Sequence, residues 1–153
     1  MRYTLFLIII LFLVALGLGW LTLGRHAQRS DRQLNALRVG EQTLGVEIAD
    51  SAEEWSQGLS GREKLAEDEG MLFVFDDQVR RSFWMRQMRF SLDMMFIRDG
   101  RINEIVRNVP APSGSQDGTE IRVQSQETAD WVLEVNSGWA QEHGVKVGDE
   151  VSY

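Results

Sequence analysis

Cysteine is absent from the 153-residue chain, which excludes a disulfide framework, a thiolate metal site, a lipid-modified cysteine and a cysteine nucleophile. Histidine is scarce. His26 and His143 stand far apart, and no zinc spacing, serine-triad pattern or phosphate-binding glycine loop occurs. No metal or cofactor is therefore expected. Proline occurs only at positions 110 and 112, so a single segment, "PAPSGSQDGTE", is rich in loop-forming residues. Its length suits a mobile surface loop or a lid over a binding site. A dense basic face is missing too: the formal net charge is −7, and because the first 32 residues sum to +3, the remainder carries −10. Such a domain is a poor partner for a phosphate backbone, and no nucleic acid is expected to bind.

Charge is also missing from Tyr3 to Gly24, and there its absence is informative. At about 1.5 Å per residue "YTLFLIIILFLVALGLGWLTLG" reaches roughly 33 Å as a helix, enough to cross a hydrocarbon core of about 30 Å. The apolar run continues past Ala15-Leu16-Gly17, its one tolerable cleavage site, so an uncleaved anchor is expected ahead of a removed signal peptide. Arg25, Arg29, Arg32 and Arg38 outnumber Arg2, which by the positive-inside rule would keep the domain in the cytoplasm, but large domains translocate largely regardless of charge. The expectation is an inner-membrane anchor with the domain facing the periplasm or outside. Secretion after cleavage and a cytoplasm-facing domain are the alternatives.

The chain then divides into a transmembrane or signal segment (1–24), a polar linker (25–36) and a folded domain (37–153). In the domain, Leu37 and Val39, a turn at Gly40, and the alternating Leu44, Val46 and Ile48 read as two strands. Asp50 with Glu53 three positions on has capping-box spacing for a short helix carrying Trp55 and Leu59, with Gly61 near its end. "GMLFVF" (70–75) is a buried strand. "SFWMRQMRFSLDMMFI" (82–97) is ambiguous, because its apolar residues fit both strand alternation and a helical stripe. Asp99-Gly100, followed by the β-branched "RINEIVRNV", decides for a hairpin of 91–98 with 101–109. "ADWVLEV" is a further strand, Ser137 to His143 a short helix stopped by Gly144, and "VKVGDEV" a last strand. The fold expected is mainly β, a compact antiparallel sandwich or barrel with two short helices, preceded by the N-terminal transmembrane or signal helix.

The segments "QGLSGREKLAEDEGMLFVF", "FWMRQMRFSLDMMFIRDGRINEI", "VLEVNSG" and "GVKVGDEV", in this order, resemble the bacterial and archaeal family called domain of unknown function 192. The resemblance covers about residues 37 to 151. It implies a β-sandwich-like domain, often behind a signal or anchor, and implies no particular activity. Scaffold positions Gly58, Leu59, Gly70, Met71, Phe73, Phe83, Met85, Leu92, Asp93, Glu134 and Gly148 match the family. Ser60 stands where Met is usual, Gln87-Met88 where an Asn-Thr pair is usual, and Ser91 where Pro is usual. "APSGSQDGTEI" replaces a segment that often holds cysteine. The Gln87-Met88 position and this loop are the ligand-facing places that the resemblance implies.

Asp93 is a carboxylate inside an apolar strand, so it needs Arg62, Arg86, backbone amides or a ligand as a partner. Trp84 and Arg86 combine a flat apolar face with a planar fork for carboxylate, phosphate or sugar hydroxyls. Glu134 is a second carboxylate in an apolar strand, and with Asp93 it would form an acid/base pair if the two shared a cleft. Met85, Met88, Met94 and Met95 read as core filler ahead of a Cu(I) site. Arginines 80, 81, 86, 89, 98, 101 and 107 are either an anion-binding face or an ordinary solvated surface. The candidate ligand-binding residues are therefore Trp84, Arg86, Asp93, Arg62 and Glu134, with no catalytic residue assigned. The function expected is a membrane-tethered envelope module, anchored through residues 3–24, that binds a small polar ligand, a peptide or an envelope protein. A hydrolase using Asp93 and Glu134 and an interaction scaffold are the alternatives.

Overall fold

A computed structural model describes residues 33–153; the expected anchor and most of the expected linker lie outside the described residues. The strands are β1 (Asn35–Val39), β2 (Gln42–Ala49), β3 (Glu69–Trp84), β4 (Leu92–Arg98), β5 (Arg101–Val109), β6 (Arg122–Asn136) and β7 (Val151–Ser152). The helices are α1 (Ala52–Gln57), between β2 and β3, and α2 (Trp139–Glu142), after β6. Because β1 starts at Asn35, the folded unit takes in the last residues of the expected linker.

The protein is mainly β, but it is one curled sheet, a half-barrel, rather than two stacked sheets. Its strand order is β5-β4-β6-β3-β2-β1-β7, and its two edges meet at a bridge between Arg101 and Glu150. The expectation of a wholly antiparallel sheet is corrected at one place: β2 and β3 run parallel, from Gly45 opposite Glu69 to Ala49 opposite Phe73. A parallel pair needs a crossover, and residues 50–68, containing α1, supply it.

Two apolar clusters lie on opposite faces of this sheet. The inner one, containing Leu37, Leu72, Met95, Leu133 and Val151, fills the curl. The outer one, containing Leu59, Phe73, Met85, Met94 and Phe96, lies under the segment that carries α1. Strand β4 serves both. Every residue from Leu92 to Ile97 is buried, with Met94 in the outer cluster and Met95 in the inner one. That is why "LDMMFI" is almost continuously apolar: a strand covered on both sides has no solvent face to alternate toward. The hairpin spans 92–98 and 101–109, with Asp99 (φ 51°) and Gly100 (φ 71°) in the left-handed region that a tight two-residue turn needs.

Local signals set the rest with small shifts. The capping box is present one residue later than expected, with Ser51 Oγ accepting from Glu54 N and the Glu54 carboxylate accepting from Ser51 N. The helix ends at Gly58, before Gly61. The expected 70–75 strand continues to Trp84 because its polar second half pairs with β6 through two register shifts. The expected last strand shrinks to Val151–Ser152, while 145–150 turn back onto β5, with Asp149 O accepting from Ile102 N.

Asp93 is fully buried on the inner face. Its carboxylate accepts from Asn108 N at 2.9 Å on β5, and from Gly138 N and Ala140 N, both at 3.1 Å, at the start of α2. Neither Arg62 nor Arg86 is its partner. Three backbone donors supply what a guanidinium would, and the carboxylate ties β4, β5 and α2 together. Asn would keep one acceptor and turn an NH₂ group toward backbone donors. Asp93→Asn is therefore expected to lower stability by about 2–3 kcal/mol and the melting midpoint by roughly 10 °C, read by thermal unfolding of residues 33–153.

Candidate functional site

Strand β3 is longer than its neighbour β2. Pairing with β2 stops at Phe73, so the rest of β3 is held by β6 on one side only. Beside this overhang is α1, whose Trp55 reaches across to Phe75 with ring centroids 4.8 Å apart and donates its indole N–H to Ala49 O. The result is a groove of about 430 Å³ lined by Trp55, Ser56, Phe75, Arg80, Arg81, Ser82, Phe83, Trp84 and Arg122. Trp84, 37% exposed, is the most open aromatic in it.

The arginines here divide into two kinds. Arg81 is committed to the fold: its guanidinium lies 3.8 Å from the Phe75 ring centroid, donates to Ala129 O and pairs with Asp77. Arg80, Arg86 and Arg122 make no side-chain hydrogen bond or ion pair among the described residues. Arg86 and Arg122 instead lie over the Trp84 ring, at 5.7 and 5.4 Å from its centroid. Arg86 also senses Asp117, whose carboxyl is held below its ordinary value first by hydrogen bonds from Thr119 and then by this arginine. The other arginines of the central region are tied: Arg89 to Glu63, Arg98 to Asp99, Arg101 to Gly148 O and Arg107 to Val145 O. The basic character of the region thus resolves into a solvated, paired surface and one aromatic groove with uncommitted guanidinium groups.

Of the five candidate residues, the structure brings Trp84 and Arg86 together and separates them from Asp93. Arg62 forms a two-pronged pair with Glu47, its second contact being 2.7 Å. Glu47, Met71, Glu134 and Met94 are opposite one another on successive strands, so Glu134 lies on the outer face, in the same row as the Arg62 partner. Asp93 pairs with Val135 on the inner face. A two-carboxylate cleft is therefore not formed: neighbouring register positions send the two acids to opposite sides of the sheet. The four methionines are core, as expected.

The loop expected as a surface loop or lid is pinned to the segment after β3. Gln87 N donates to Asp117 O at 2.7 Å, and a Cβ at Gly118 (φ +87°) would collide with the Met85 carbonyl oxygen. Between them opens a second cavity of about 490 Å³, lined by Gly61, Gln87, Met88, Arg89, Pro112, Gln116 and Asp117. The Gln87-Met88 position and the loop therefore do share a pocket. Its two charged groups are both exposed, one bound to Glu63 and one to Thr119. Trp55, Phe75 and Arg122 were not among the sequence candidates, and Arg80 was named only within the run of arginines read as an anion-binding face or a solvated surface. The available signal was the basic and aromatic run "RRSFW", whose partner Arg122 stands 38 positions beyond Trp84.

With this geometry in hand, the family is plain: the chain belongs to the domain of unknown function 192 family, described as "Uncharacterized ACR", whose profile matches residues 35–153. Solved structures similar to this chain include two from bacteria. One, a candidate transcription regulator from Sinorhizobium meliloti, is 31% identical with a TM-score of 0.70, over 79% of this chain and 94% of that one. The other, a protein of unknown function from Novosphingobium aromaticivorans, is 30% identical with a TM-score of 0.71, over 82% of this chain and 89% of that one. No curated protein matches. Among the described residues, no helix is long and apolar enough to cross a membrane, and no group of acidic or histidine side chains is arranged to hold a metal.

Burial pushes the Glu134 carboxyl up to about 8. The unfolded chain releases that proton near 4.5, so between these values the folded state holds one proton more. The contribution of Glu134 to stability is then complete below about pH 4.5, falls by up to about 1.4 kcal/mol per pH unit as pH rises toward 8, and is flat above. Glu134→Gln removes this slope. Denaturant unfolding at pH 5 and pH 8 should show the variant gaining a few kcal/mol on the wild type at the higher pH; equal slopes would show that Glu134 ionises normally.

Proposed function

We propose that this chain is a binding or accessory module, tethered to the inner membrane through residues 3–24 and facing the periplasm, whose groove around Trp84 takes a negatively charged small ligand or peptide segment. The observation that carries the reading is that Arg80 and Arg122 have no carboxylate partner among the described residues and that Arg86, near Asp117 but not hydrogen-bonded to it, joins Arg122 over an exposed Trp84, in a domain of strong net negative charge. Surface arginines in an acidic protein ordinarily find acidic neighbours, as Arg81, Arg89 and Arg98 do. Guanidinium groups set against an aromatic face are weakly hydrated and present fixed, planar donors, which suits carboxylate or phosphate recognition. The apolar walls of Trp55, Phe75 and Phe83 add contact area for an aliphatic or aromatic portion of the ligand. The uncharged run from Tyr3 to Gly24 supports the tether.

Two outcomes are expected. In a thermal-shift screen of residues 33–153 against inorganic phosphate, uronic acids, acidic amino acids and acidic dipeptides, a ligand at about a hundredfold its Kd should stabilise by about 2.7 kcal/mol, roughly 10 °C. Trp84→Ala and Arg122→Ala should each abolish the shift; a panel with no effect, or one equally effective on both variants, counts against the groove. For the full chain, alkaline carbonate extraction should leave it in the membrane pellet, and protease added to spheroplasts should digest the domain. Digestion only after lysis would place the domain in the cytoplasm.

A further inference from the structure

We infer that the occupant of the groove is an extended acidic peptide segment of a partner protein, which pairs with the free edge of β3 and adds a strand to the sheet. This rests on the reading of the groove as an anion site and names what fills it. Three observations carry it.

The first is the unpaired edge. Strand β2 accompanies β3 only as far as Ala49 opposite Phe73, and then the chain turns away into α1. From Val79 to Trp84, β3 stays paired with β6 across one register shift, between Arg80 and Ser82, and among the described residues no strand pairs with its other side. An open strand edge offers a row of N–H and C=O groups to an incoming chain. The opening follows the segment that β2 accompanies, beyond the register shift between Val74 and Val79.

The second is how the groove is lined. Arg80, Arg81, Ser82, Phe83 and Trp84 are consecutive and all contribute. Successive side chains of a strand point to opposite faces, so five in a row line one groove only if the groove runs along the strand edge rather than across a face. At about 3.3 Å per residue that run is roughly 17 Å, the length of an extended peptide rather than of a metabolite.

The third is charge. Arg80 and Arg122 have no carboxylate partner among the described residues, although the domain as a whole is acidic. A guest strand with Asp or Glu at alternate positions would set carboxylates against them on one face. Its intervening apolar residues would meet Trp55 and Phe75.

Residues 33–153 can be tested alone. They hold both apolar clusters, and the Sinorhizobium meliloti protein, 94% covered by the match, is a folded chain made of little else. A random dodecapeptide library displayed on phage would be selected on the immobilised domain, and the enriched peptide synthesised. The inference expects alternating Asp or Glu in the enriched set, hydrogen-exchange protection of the amides of residues 79–84 on binding, and at least about tenfold weaker binding by the Arg80→Glu/Arg122→Glu double variant, folding checked by its melting temperature. Selection without acidic enrichment, or protection elsewhere, overturns it. If phosphate or glutamate gives a Trp84-dependent melting shift while no acidic peptide protects β3, strand addition is wrong and the anion groove stands. If neither small anions nor peptides act at Trp84, the groove reading falls and takes this inference with it.

Discussion

The Asp93 carboxylate, sealed between strands and satisfied by three backbone N–H groups, is the contact on which the arrangement of the domain depends. It lies where the β4–β5 hairpin, the end of β6 and the short helix α2 converge, and it bonds to the backbone of β5 and of the entry to α2 at once. A buried carboxylate is costly unless every lone pair facing protein is used, so its presence dictates the backbone around it. Asn108 adopts a left-handed conformation (φ 55°) as it offers its amide, and Gly138 (φ 92°) does the same at the entry to α2. Only with these turns in place can Trp139 and Ala140 enter the inner cluster and β5 approach the far edge of the sheet near Glu150.

The outer face is organised differently. Arg62 and Glu47 pair at its margin, and Glu134, flanked by Met71 and Met94, has no charged partner at hydrogen-bonding distance among the described residues. What this face provides is reach. Because β3 and β6 outrun the rest of the sheet, they project a two-stranded ribbon whose aromatic side chains are only half covered by α1. The groove arises from that mismatch in strand length, and the arginines along it keep a bare apolar edge soluble.

Much of this was legible from the residues. Asp99-Gly100 announces its turn because few dipeptides accept two left-handed conformations, and "LDMMFI" announces a doubly covered strand. The Trp84 and Arg86 pair was legible as an adjacent aromatic and fork. The parallel pairing of β2 with β3 was not, since nothing in either strand distinguishes a parallel neighbour. Nor was the second half of β3: "DDQVRRSFW" has neither an apolar run nor clean alternation, and it is strand only because β6 pairs with it through two bulges. The partners of Asp93 were legible in kind, since backbone amides were among those expected, but not in place. Backbone amides carry no residue identity, so Asn108, Gly138 and Ala140 could not be named, and of the two arginines weighed Arg62 is bound to Glu47 while Arg86 lies over Trp84. Arg122 escaped because its relation to Trp84 exists only through strand register.

The protonated state of Glu134 also changes how the whole molecule behaves in an electric field. At pH 7 the folded protein carries close to one negative charge fewer than its composition states, so the formal −7 becomes about −6 without any counter-ion or ligand. Unfolding restores the missing charge. Folded and unfolded chains therefore differ in electrophoretic valence as well as in size, and the difference originates from one carboxyl held between two methionines.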